Sequence, residues 1–91
     1  MKVSFTPAKF NDRVVAVELH YSFPGEGEQV LVFADETPQV VDVARPLTLA
    51  FYGVSVADNG KKSDASVIQT FEVADSFKPA VPGDFTVAQI D

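Results

Sequence analysis

The chain contains no cysteine and no tryptophan, and it has a single histidine. Without cysteine there is no disulfide, no thiolate nucleophile and no sulfur ligand for a metal. His20 stands alone, with no His-x-x-x-His spacing, so a zinc site of three protein ligands lacks its parts. It also has no serine partner on a strained turn, so a hydrolase triad is unsupported. Basic residues are scarce: seven Lys and Arg stand against 13 Asp and Glu, a formal net charge of -6. Between Arg13 and Arg45 there is no Lys or Arg, whereas Glu18, Glu26, Glu28, Asp35, Glu36 and Asp42 all lie there. Nucleic acid would meet a repulsive field, because backbone binding needs clustered cations. The acidic stretch reads as a solubilising face, or alternatively as a surface for a cationic partner. No apolar run approaches the roughly 20 residues of a membrane-spanning helix. No basic segment precedes an apolar one, so a signal peptide is not expected in this segment.

What the chain does contain is strand-forming residues in alternation. At 91 residues it fits one domain. Its 46% hydrophobic and 22% charged content is that of a folded globular chain. Met1 to Thr6 reads as a first strand, ended by Pro7. Over residues 13–23, Val15, Val17, Leu19, Tyr21 and Phe23 alternate with Ala16, Glu18, His20 and Ser22. A period of two means one buried face and one wet face. Pro24-Gly25-Glu26-Gly27 then breaks the strand. Residues 28–34 are apolar on both parities and predict a central strand. Residues 39–44 form a further strand, stopped by Arg45-Pro46, since proline cannot donate to a central ladder. Residues 47–58 predict a long strand, with Tyr52, Val54 and Val56 on one parity. Asp58-Asn59-Gly60 signals a tight turn. Residues 65–73 then return as its antiparallel partner, with Val67, Phe71 and Val73 sharing a face. The count is six or seven strands and no helix, an all-β antiparallel two-sheet sandwich.

The tail changes character. Lys78-Pro79-Ala80-Val81-Pro82-Gly83 has the composition of a stiff linker. Residues 84–90 follow as another strand, which either returns to the domain or opens a following module. The division expected is a sandwich over residues 1–77, then a Pro-rich linker and the first strand of a following module over 78–91.

The stretch from Leu49 to Val73 resembles the last hairpin of fibronectin type III domains. The residues that carry the resemblance are Tyr52, Val54 and Val56 on one strand, then Gly60 and Ser63 in the loop. Pro79 to Val87 looks like the Pro-rich junction that opens such a repeat. Where the family carries a buried tryptophan, Leu19 or Tyr21 would fill the volume here, and Pro46 stands farther from Tyr52 than the family places it. Another immunoglobulin-like sandwich is the alternative. The resemblance implies a module of the kind found in bacterial surface and bacteriophage tail proteins. It also gives Tyr52 a corner role, its ring buried and its hydroxyl on a backbone group.

Catalysis is not expected. Glu26/Glu28 and Asp35/Glu36 are paired carboxylates, but they lie in exposed turns, where neither acquires the raised pKa a glycosidase acid needs. Gly25-Glu26-Gly27 is acidic and precedes no helix, so it is no phosphate cradle. The expected role is a non-catalytic structural or spacer module of a larger extracellular or virion protein, with neighbouring domains of the same chain as partners and no cofactor. One alternative is a module binding protein or glycan through the 58–64 loop. Asp58, Asn59, Gly60, Lys61 and Lys62 are then the contact residues, set beside the Pro24–Gly27 loop so that both lysines approach Glu26 and Glu28. A further alternative is a calcium-stabilised sandwich using Asp35, Glu36, Asp58, Asn59 and Asp64.

Overall fold

The computed structural model describes residues 1–74 and 85–90. Among the described residues seven strands form: β1 Lys2–Pro7, β2 Val14–Ser22, β3 Gln29–Phe33, β4 Gln39–Asp42, β5 Leu47–Ala57, β6 Gln69–Val73 and β7 Phe85–Gln89. They make two antiparallel sheets, one ordered β4-β1-β7 and the other β3-β2-β5-β6. The all-β two-sheet sandwich expected from alternation is therefore the observed architecture.

The core lies between the inner faces of the two sheets. Val3 and Phe5 of β1, with Val87 of β7, meet Leu19 and Tyr21 of β2, Leu49 and Phe51 of β5, and Phe71 and Val73 of β6. The Phe5 ring stands edge-on to Phe51 at 5.5 Å and stacks on Tyr21 at 6.3 Å. Both are spacings at which aromatic quadrupoles attract. Leu19 and Tyr21 are both buried and share the centre of the core.

Several local expectations give way to tertiary pairing. β3 is an edge strand, not a central one: among the described residues it pairs only with β2, and Val30 and Val32 are 48% and 58% exposed. Its apolar residues on both parities reflect β-propensity on a half-covered edge, not burial on two faces. Its outer edge is partly capped, since Gln39 Nε2 donates to the Val32 carbonyl at 2.7 Å. In β2 the register slips between Val14 and Ala16 and leaves Val15 exposed.

The largest departure is the return from the β5 hairpin. The turn from Ala57 to Gly60 closes with Gly60 N donating to Ala57 O at 3.0 Å and Ala57 N donating to Lys61 O at 2.8 Å. Only Gly60 has positive φ there, 84°. The tip is therefore a type I turn followed by a glycine bulge, and not the two-residue turn that needs positive φ twice. The register then slips by one residue twice. Ser63 N donates to Ser55 O and Ser66 N to Gly53 O, both at 2.9 Å, before Gln69 pairs with Phe51. At each slip a serine hydroxyl stands in for the missing backbone acceptor: Ser55 N donates to Ser63 Oγ at 2.9 Å, and Gly53 N to Ser66 Oγ at 2.8 Å. Bulges of this kind break face alternation. Val67 and Ile68, expected within a strand over residues 65–73 with Val67 sharing the face of Phe71 and Val73, instead precede β6 and are 81% and 65% exposed.

Residues 85–89, expected from composition to open a following module, pair with β1 of this same domain from Pro7↔Phe85 to Val3↔Gln89. The physical reason is on the inward parity of β7, where Val87 and Gln89 are buried. Gln89 Oε1 accepts from Ala74 N at 3.0 Å and ties the end of β7 to the end of β6. The Pro-rich linker expected at 78–83 lies outside the described residues.

Candidate functional site

The loop from Asp58 to Lys62 follows from the hairpin just described, and most of its polar groups serve its own geometry. Asp58 takes a forked contact from Arg13, with Nη2 at 2.8 Å and Nε at 3.2 Å from Oδ1, and Asp58 N donates to the Arg13 carbonyl at 2.9 Å. Asn59 Oδ1 accepts from Lys61 N at 3.0 Å. Gly60 supplies the positive φ. Lys62 leaves the tip altogether and crosses to the outer face of the four-stranded sheet, where Nζ lies 2.9 Å from Glu18 Oε2. Of the loop cations, Lys61 is the one left to face outwards at the tip.

The register also separates two loops that were expected to be neighbours. Val14 pairs with Ala57 and Ser22 with Ala50 along the same two strands. The Asp58–Lys62 loop therefore sits at one end of the sandwich and the Pro24–Gly27 loop at the other. Lys61 and Lys62 do not stand beside Glu26.

What the register does assemble is a polar cluster on the outer face of β2, β3 and β5. Val30, His20 and Tyr52 form one cross-strand row, and Val32, Glu18 and Val54 the next. The imidazole of His20 lies parallel to the Tyr52 ring, 4.7 Å between centroids and 4° between planes. Its two nitrogens face two carboxylates, Nδ1 at 2.9 Å from Glu28 Oε1 and Nε2 at 3.1 Å from Glu18 Oε1. Carboxylate oxygens only accept, so this geometry is satisfied in full when both ring nitrogens carry hydrogen. The Tyr52 hydroxyl donates to both Glu28 oxygens, at 3.1 and 3.0 Å. Tyr52 is thus not the buried corner tyrosine expected: its ring is on the wet face and its partner is a side chain.

The electrostatics follow from these contacts. The hydrogen bond from Lys62, then that from His20, hold Glu18 below the ordinary glutamate range. Glu28 is lowered by His20 first and Tyr52 second. Tyr52 is raised, by the loss of water around its hydroxyl and then by the neighbouring Glu28 carboxylate. Glu18 and His20 lose most of their exposure, each keeping under a fifth of its side-chain surface. The cluster binds three strands to the hairpin loop. It offers a flat aromatic and carboxylate surface flanked by exposed Val30 and Val32. A sequence clue existed in Glu18-x-His20 on the polar parity of β2, but Tyr52, Glu28 and Lys62 join it only through the strand register.

The calcium candidates are engaged in turns. Asp35 Oδ1 accepts from Thr37 N at 2.8 Å, which lowers the Asp35 pKa. Glu36 Oε1 accepts from Phe10 N at 3.2 Å, and Asp58 is held by Arg13. Among the described residues no group of three or more His, Asp or Glu is arranged to hold a metal ion. The chain matches no protein-family model, no curated protein and no solved structure.

Proposed function

We propose that this domain is a non-catalytic structural module, fibronectin type III-like or immunoglobulin-like, that spaces neighbouring domains in a larger extracellular or virion protein of the phage-tail kind. The observation that carries the reading is the placement of strand ends. β7 finishes where β1 begins: Ile90 N donates to Lys2 O at 3.1 Å. Residues 90 and 2 thus stand opposite each other, as in a hairpin with a tight turn. In a head-to-tail array, the strand before each β1 would form that hairpin and fill the place β7 fills here. Each unit would then be entered at the end marked by Phe85 and left at the end marked by Ala74. Those ends are opposite, because Ala74 is hydrogen-bonded to Gln89 at the far end of β7. A module entered at one end and left at the other transmits length, which is what a spacer requires. The acidic composition adds mutual repulsion between units.

The intact mass of the native polypeptide that carries this sequence tests the proposal. A mass several times 9.8 kDa is expected. A native chain of about that one-domain mass would overturn the spacer reading. A second reading, a module binding protein or glycan, is favoured by the His20–Tyr52 stack lying on the same face as exposed Val30 and Val32. Aromatic faces beside carboxylates can stack on a sugar ring and accept from its hydroxyls. On this reading the contact surface is the sheet face around Tyr52 with Lys62 at its border, and Tyr52→Ala should abolish binding to any partner found.

A further inference from the structure

The outer edge of β3 carries an open row of backbone groups. Ser66 N donates to Gly53 O and Ser63 N to Ser55 O, so the backbone of Gly53 and Ser55 faces β6. Backbone direction alternates along a strand, so Tyr52 and Val54 face β2, and their partners His20 and Glu18 face β5 in return. The backbone of Leu19 then faces β3 through Leu31, and that of Val30 and Val32 points out of the sheet. The bond from Gln39 to the Val32 carbonyl, which arrives from outside the sheet, agrees with this direction. Val30 N–H, Val30 C=O and Val32 N–H have no partner among the described residues. Proteins guard such edges with a lysine, a proline or a bulge. β3 (QVLVF) has no charge and no proline, and it pairs with β2 without a slip. Acid flanks it instead. Glu26 and Glu28 precede β3, Asp35 and Glu36 follow it, and no Lys or Arg occurs between Arg13 and Arg45. Glu28 meets His20 and Tyr52, Asp35 the Thr37 amide and Glu36 the Phe10 amide. Among the described residues none of these four carboxylates is paired with Lys or Arg.

We propose that the β3 edge is a docking site for an extended basic segment of another protein, which adds to the four-stranded sheet as a fifth strand beside β3. Backbone bonds to Val30 and Val32 attach the segment, and its alternate side chains lie over the exposed Val30 and Val32 side chains. Lys or Arg at its two ends meet Glu26 and Glu28 at one end of the seat and Asp35 and Glu36 at the other. Residues 28 and 35 stand about 23 Å apart along extended backbone at ~3.3 Å per residue, so basic residues about seven positions apart match the two acidic ends. Gln39 is a removable cap: the incoming strand displaces its side-chain amide from the Val32 carbonyl and supplies a backbone N–H in its place. Charge selects against a second copy of this chain. Two β3 edges paired antiparallel would set Glu26 and Glu28 of one copy beside Asp35 and Glu36 of the other, like charges at both ends. The proposal rests on the sheet order and is independent both of the spacer reading and of contacts made by the Tyr52 face.

The probe is the end-capped peptide Lys-Thr-Val-Thr-Val-Thr-Val-Lys, titrated into the isotope-labelled full chain and followed by amide NMR. Saturable binding is expected, with the Val30 and Val32 amides shifting most and gaining protection from hydrogen exchange. The same peptide with Glu at both ends should bind at least about tenfold more weakly, and salt should narrow that difference. Val30→Pro deletes one outward N–H at an edge position where a strand tolerates proline, and should weaken binding by about tenfold. Gln39→Ala removes the cap and should tighten binding by about threefold, which keeps the test open if the proline variant does not fold. No saturable binding of the Lys-ended peptide, or equal binding of the two peptides, would overturn the proposal. Shifts centred on Tyr52, lost in Tyr52→Ala and kept in Val30→Pro, would overturn it in favour of the sheet face. Self-association of the free chain that Val30→Pro abolishes would overturn it in favour of a second copy.

Discussion

Replacing Val87 by alanine measures how firmly β7 belongs to the sandwich. Val87 is fully buried beside Val3 and Phe5, although the chain reaches it only after residues 75–84. The change removes two buried methyl groups, worth about 1.6 kcal/mol in transfer free energy at ~0.8 kcal/mol per carbon. The space left behind adds about 1 kcal/mol if the neighbours do not collapse into it, at ~24 cal/mol per Å³. The expected loss is therefore about 2–3 kcal/mol. For a domain of this size that lowers Tm by about 10–20 °C, at roughly 4–8 °C per kcal/mol. Thermal unfolding followed by far-ultraviolet circular dichroism or by tyrosine emission reads the shift, since the chain has no tryptophan and Tyr21 is in the core. Ile90→Ala, on the same strand end, is the control: Ile90 is exposed, and its truncation should stay within about 0.5 kcal/mol. A Tm for Val87→Ala within about 3 °C of the parent would refute the reasoning, because it would mean that β7 does not press Val87 into the core.

The hairpin and the polar cluster give further expected outcomes. Ser66→Ala leaves the Gly53 amide without its acceptor in a partly buried position, so it should cost about 1–2 kcal/mol in urea unfolding, whereas a loss no larger than that of an exposed surface substitution would deny the hydroxyl its place in the ladder. Gly60→Ala forces a β-carbon into a φ of 84° with no steric neighbour to blame, and in the same urea titration should lower stability by about 1 kcal/mol through backbone strain alone. The pH dependence has two limbs. Glu18 and Glu28 have folded-state pKa values below their unfolded ones, so their contribution is complete above the unfolded value and disappears as pH falls through the folded values. Tyr52 is raised, so its contribution is complete below the unfolded tyrosine value and disappears as pH rises through the folded one. Glu18→Gln should flatten the acid limb and Tyr52→Phe the alkaline limb, and unchanged slopes in either variant would separate that group from the linkage.

The alternation of Val17, Leu19 and Tyr21 with Glu18 and His20 was legible because a strand half covered by a sheet needs a period of two, and that period is local. The breaks at Pro24-Gly25, Arg45-Pro46 and Asn59-Gly60 were legible for the same reason: proline and glycine restrict or free the backbone at their own positions. The missing cysteines exclude thiolate chemistry from composition alone. Less could be read wherever a residue answers to a partner distant in sequence. Val30 and Val32 carry the β-propensity of a central strand, yet only the sheet order makes β3 an edge. Val67 sits on the same nominal parity as Phe71, but the register slip between Ser66 and Gln69 turns it to solvent.

The candidate site shows the same division. Asp58, Asn59 and Gly60 are a turn by composition and remain one in three dimensions, while Lys62 is drawn 2.9 Å from Glu18, on a strand more than 40 positions away in the chain. The stack of His20 on Tyr52 depends on which residue of β5 stands opposite which residue of β2. A shift of one position would move every side chain of β5 to the other face. The sequence by itself determined that this chain is an all-β sandwich with acidic surfaces and Pro- and Gly-marked turns, because propensity, alternation and charge are properties of short stretches. The tertiary structure alone decided which strands are edges, that β7 lies on β1, and that Glu18, His20, Glu28, Tyr52 and Lys62 meet, because those outcomes depend on register between strands, which no single segment encodes.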